Sequence, residues 1–157
     1  MIRTSQVIRA MASAILKHSG VCAICDLFKQ PQVILCGHSA EGPLQPQDSF
    51  VRISLVTGDE YDMGYTGGDR EVPIRCTFDL TTGETKDEGR IREYVGPLLV
   101  DDLAAEIVDA VIGIHGLGDE VKQANVSTDT SDTWPVCRGT INFVFALKRG
   151  TAFEPEM

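Results

Sequence analysis

The stretch Phe50–Leu80 constrains the fold most, because it holds two alternating runs on either side of a long connection. In FVRISLV, Val51, Ile53 and Leu55 alternate with Arg52 and Ser54. In VPIRCTFDL, Val72, Ile74, Cys76, Phe78 and Leu80 alternate with Pro73, Arg75, Thr77 and Asp79. Successive strand side chains point to opposite faces, so each run offers one apolar and one polar face. Two such runs close in sequence predict an antiparallel pair buried on one side. Hairpin loops usually hold about two to five residues, yet this connection, Thr57 to Glu71, spans about 15. It carries Asp59, Glu60, Asp62, Asp69 and Glu71 against a single Arg70, with Tyr61, Tyr65, Gly64, Gly67 and Gly68 among them. A long acidic, Gly-rich arm projecting from a sheet is a contact device rather than a core element. Asp59, Glu60, Tyr61, Asp62, Tyr65, Asp69 and Arg70 are its candidate contact residues.

With 157 residues the chain is long enough for one domain with a sizeable core. We expect that domain over residues 1–147, followed by a polar C-terminal arm or disordered tail over 148–157. A net charge of −9 argues against a nucleic-acid-binding surface, which needs clustered positive charge. It is compatible with a surface that DNA passes without sticking. No apolar run approaches the ~18 residues of a membrane span, and no signal-peptide core stands at the N-terminus. The expected setting is therefore the cytoplasm, where five cysteines are expected as free thiols.

Along the chain, Thr4 to His18 predicts a helix, capped by Thr4 or Ser5, with Val7, Met11 and Ile15 on one face and Gly20 as its terminator. Val21 to Phe28 is ambiguous between helix and strand. Gln32 to Cys36 predicts a short strand, and Gly37 to Ser49 a loop. Thr81 to Gly89 is turn-rich and charged. Arg90 to Val95 predicts a short helical lead-in, broken near Gly96 and Pro97. A second helix then starts at a cap of Asp101 or Asp102, carries Leu103, Ile107, Ala110, Val111 and Ile114, and ends at Gly113, Gly116 and Gly118. Val121 to Thr128 predicts an edge strand, Asp129 to Trp134 a polar turn, and Cys137 to Leu147 the last strand. This order predicts an α+β fold: a mainly antiparallel four- to five-stranded sheet packed by two helices on one face.

Chemistry-bearing patterns are few. Cys22-x2-Cys25-x10-Cys36-x-His38 has residue types and a spacing that suit zinc, and resembles the first half of a RING finger. The later ligands of that motif are missing, since the next cysteines are Cys76 and Cys137. The expectation is therefore no stoichiometric metal, with Cys25 and Cys36 as small apolar core residues. The acids Asp59 to Asp62 do not follow calcium-loop spacing. The Gly113–Gly118 pattern follows a helix instead of opening one, which excludes a dinucleotide fingerprint. No serine sits in a nucleophile-elbow pattern, and no cofactor or enzymatic activity is expected.

The layout as a whole resembles the tail terminator family of long-tailed, lambda-like bacteriophages. The features that carry the resemblance are the N-terminal helix (Val7 to Ala14) and a Pro-rich lead into a strand ending V-T-G-D-E-Y (Val56 to Tyr61). The long acidic loop follows, then the alternating strand Val72 to Leu80, a second helix, and the D-T-W-x6-strand ending at Asp132 to Leu147. The resemblance implies a structural virion protein that forms a hexameric ring on the finished tail tube. There it stops addition of the major tail tube protein and presents a surface to the head–tail connector, with DNA passing through the channel. It implies a place at the head-proximal end of the tail, assembled in the host cytoplasm. The alternatives are another ring-forming neck protein, or a zinc-binding adaptor built on Cys22, Cys25, Cys36 and His38.

Overall fold

Helix-forming residues with apolar spacing of three and four open the chain and yield α1 (Thr4–Lys17), which buries Val7, Ile8, Ala10, Met11 and Ile15. The computed structural model describes residues 2–30, 32–37, 49–58, 70–82, 84–130 and 135–147. The first helix is capped by Arg3, whose backbone N–H donates to Gln6 Oε1 at 2.7 Å, and not by Thr4 or Ser5. The Thr4 hydroxyl serves another purpose, accepting a hydrogen bond from Arg70 Nη2 at 2.7 Å. Gly20 does not terminate the helix either. The chain turns at His18, which is extended, and a second helix α2 (Ser19–Cys25) begins at once, bent 66° from the first. Gly20 lies inside α2, where a Cβ would meet the carboxylate end of Glu106 and make that side chain move aside.

The strands are β1 (Val33–Cys36), β2 (Phe50–Thr57), β3 (Arg70–Thr81), β4 (Thr85–Glu88), β5 (Ile91–Tyr94), β6 (Val121–Asp129) and β7 (Val136–Leu147). Five of them form one sheet in the order β1-β2-β3-β7-β6. The fold is α+β, as expected. The sheet is mixed, since β1 runs parallel to β2 while the other three pairings are antiparallel. β2 and β3 pair from Phe50↔Thr81 to Thr57↔Ile74, so Val51, Ile53 and Leu55 lie opposite Leu80, Phe78 and Cys76. On β7 the same face continues through Cys137, Gly139, Ile141, Phe143, Phe145 and Leu147, all buried. Pro73 is tolerated in β3 because its carbonyl, and the nitrogen beside it, face Gly58, just past the end of β2. Gly58 N–H donates to that carbonyl at 2.8 Å, and the donor proline lacks is not needed within the β2–β3 pairing.

Beyond the central strands the chain departs from its local patterns. Residues 91–94 form β5 and not a helical lead-in; with β4 they make a separate two-stranded ribbon turning at Gly89 and Arg90, every residue of which is exposed. The third helix, α3 (Val95–Ile112), starts well before Asp101, at a Tyr94 cap, and runs through Gly96 and Pro97 to a Gly113 cap. Proline is acceptable in a first turn, where its missing N–H has no intrahelical partner to lose. Asp101 and Asp102 are therefore exposed residues within the helix and not its caps. Arg70 and Glu71, read as part of the loop, belong to β3.

One apolar core joins the elements: Met11 and Ile15 of α1, Val100, Leu103 and Ile107 of α3, and Phe78, Phe143 and Phe145 of the sheet are all fully buried. Among the described residues no single helix is long and apolar enough to cross a membrane.

Candidate functional site

The cysteine pattern does not assemble a ligand set among the described residues. Cys22 Sγ donates to the Leu16 carbonyl at 3.2 Å, and Cys25 Sγ to Gln32 Oε1 at 3.1 Å. Cys25 is buried, but Cys36 is exposed at the end of β1 and not a core residue, because the strand ends there. Burial pushes the Cys25 thiol up to about 12, with a smaller push from Cys22, so it is held protonated at neutral pH. His38, the fourth member, lies outside the described residues.

Sequence reasoning missed the one cluster of potential ligands among the described residues, His18, Glu106 and Asp109. His18 caps α2, its Nδ1 accepting from Val21 N–H at 3.3 Å, while its Nε2 lies 3.2 Å from Asp109 Oδ2. Glu106 Oε2 is 3.6 Å from Nδ1. An acceptor at Nδ1 puts the ring proton on Nε2, where it donates to Asp109. Both nitrogens are thereby used, and the cluster works as a latch tying the α1–α2 corner to α3. An open groove of about 460 Å3 adjoins it, lined by Ala14, Lys17, His18, Asp109, Ala110, Ile112 and Gly113. No sequence signal marks this cluster, because His18 and Asp109 are 91 residues apart.

On the sheet face turned away from the core, two polar rows follow the register. Asp129, Arg138, Asp79 and Arg52 form one row across β6, β7, β3 and β2. Asp79 is wholly shielded; its Oδ1 accepts from Arg138 Nε at 2.7 Å and its Oδ2 from Arg52 Nη2 at 3.4 Å. The adjacent row is all hydroxyls, Ser127, Thr140, Thr77 and Ser54. Among the described residues no further strand pairs with β1 or β6, the two edges of the sheet. Val33 and Val126 on those edges are each 48% exposed.

Of the arm residues, only Arg70 is described, and it is not an exposed contact. It is buried, its Nη1 donating to the Ile2 carbonyl and its Nη2 to Thr4. Its guanidinium is engaged within the chain, fastening Ile2 and Thr4 to the first residue of β3. Asp59, Glu60, Tyr61, Asp62, Tyr65 and Asp69 lie outside the described residues, as does the 148–157 tail. No protein-family model matches the chain, and no curated protein matches it in sequence.

Proposed function

We propose that the chain is a structural subunit of a bacteriophage tail: a terminator that closes the tail tube as a hexameric ring. In that role it stops addition of tube protein and offers a surface to the head–tail connector. The observation that carries the reading is the sheet's two unlike edges, a four-residue strand in parallel pairing at β1 and a nine-residue strand in antiparallel pairing at β6. Closed rings above a dimer need two different patches per subunit that meet head to tail, and unlike edges supply such a pair. In this reading α1 and α3 cover one face of the sheet, and the accessible residues of the opposite face, Ser127, Arg138 and Thr140 among them, meet tube or connector. The net charge of −9 suits a channel that DNA traverses without binding.

Native mass spectrometry across a concentration series, paired with electron microscopy of tail tubes polymerised with the protein present, tests this. The expected result is a hexamer and tubes capped at one end. A monomer at every concentration that neither binds nor shortens the tubes overturns it.

A further inference from the structure

The two long helices segregate charge. α1 contains Arg9 and Lys17 and no acid, and Arg3 caps it; Arg3, Arg9 and Lys17 are exposed. α3 contains Asp101, Asp102, Glu106 and Asp109 and no base; its three aspartates are exposed. Each also presents apolar side chains to solvent, Leu16 on α1 and Leu98 and Ile112 on α3, all more than half exposed. With 14 and 18 residues at about 1.5 Å per residue, the helices are about 21 and 27 Å long, comparable in length.

We propose that these faces are the contact between copies, α1 of one subunit docking on α3 of the next. The occupant is a second copy because this chain itself supplies both signs, one on each helix, with Arg3 and Arg9 of α1 and Asp101 and Asp102 of α3 outside the groove that Lys17 and Asp109 share. Opposite charges steer the encounter and disfavour α1 on α1 or α3 on α3, and the exposed leucines and isoleucine give the contact apolar area. In the ring reading this contact runs head to tail, whereas the same two faces paired reciprocally would close a two-fold dimer. The contact rests on the ring reading given above.

Charge reversal tests it, with circular dichroism and thermal melts confirming that each variant folds. One variant carries Arg9→Glu and Lys17→Glu, the other Asp101→Lys and Asp102→Lys. Each alone should associate roughly tenfold more weakly than the wild type, or worse. Mixed in equal amounts they should recover a hexamer of both kinds, since each reversed face then meets its complement. Wild-type association should weaken as salt is raised. Rings that persist in both variants at wild-type strength overturn the helix contact and leave the ring reading standing. A mixture that stops at a dimer overturns the head-to-tail arrangement. A wild-type chain that stays monomeric on its own and on tail tubes overturns both.

Discussion

Asp79 and Arg138 face each other across β3 and β7 on the polar side of the sheet, the carboxylate fully buried and 2.7 Å from the guanidinium Nε. Arg52 holds the second oxygen from the other flank. Neutralising Asp79 leaves two guanidiniums that are partly solvated, so the cost is that of the weakened charge-assisted hydrogen bonds, about 1.5–3 kcal/mol. Asp79→Asn should therefore lower the denaturation midpoint strongly. A double-mutant cycle with Arg138→Gln should show coupling, and additive effects would remove the pair as a source of stability.

Gly139 lies opposite Phe78 in the β3–β7 register, and a Cβ there would stand 2.2 Å from Phe78 Cζ. The ring is fully buried, so it has to displace core neighbours to retreat. Gly139→Ala should destabilise by about 1–3 kcal/mol through overpacking. Adding Phe78→Leu should return part of that loss, because it removes the atoms in conflict. Equal stability of Gly139→Ala and wild type in urea melts would refute the clash.

The thiols set an alkaline limit. Burial raises Cys76 to about 12 and Cys25 to about 12, and raises Cys137 to about 11 with help from Asp129. A thiol whose folded pKa lies above its unfolded value of 9.0 keeps its full contribution below pH 9 and loses it as pH climbs toward the folded value. Stability should fall between about pH 9 and 12, and replacing Cys76 by Ala should flatten that fall. At about pH 8 an alkylating reagent should modify exposed Cys36 first and reach Cys76 only on unfolding.

The central pair was legible because alternation over Val51–Leu55 and Val72–Leu80 reports one buried face directly, and α1 because its apolar spacing is regular. The start of α3 was not, since Pro97 reads as a breaker unless it is known to sit in the first turn. Arg70 read as an arm residue because its partners, Ile2 and Thr4, are more than sixty residues away. Asp79 read only as one polar position in an alternating run; its burial depends on Arg52 and Arg138 arriving from neighbouring strands. In each of the last two cases the missing information is which distant residue comes into contact, and local pattern does not carry it.

His18 joins three helices, following α1, capping α2 through Nδ1 and meeting Asp109 of α3 through Nε2. His18→Ala removes a cap and a long-range hydrogen bond together, a loss of about 1–2 kcal/mol. Hydrogen exchange should quicken over Ser19–Cys25 while β3 and β7 keep their protection. Uniform loss of protection across the chain would deny the latch its local role.

Fold and assembly separate at the 59–69 segment. Thr57 pairs with Ile74 and Gly58 N–H with the Pro73 carbonyl, so β2 and β3 are joined up to the segment's first residue. On the far side Arg70 is fastened to Ile2 and Thr4, and β3 continues in register with β7 from Arg70↔Leu147. Both roots are thus held by contacts that do not involve the segment. Replacing residues 61–69 by a short Gly-Ser turn should leave the melting temperature within a few degrees of wild type. In the proposed ring, where the acidic segment is expected to contact its neighbours, the same change should abolish capping of tail tubes. Tubes of normal length and full infectivity in the deletion would take the segment out of assembly altogether.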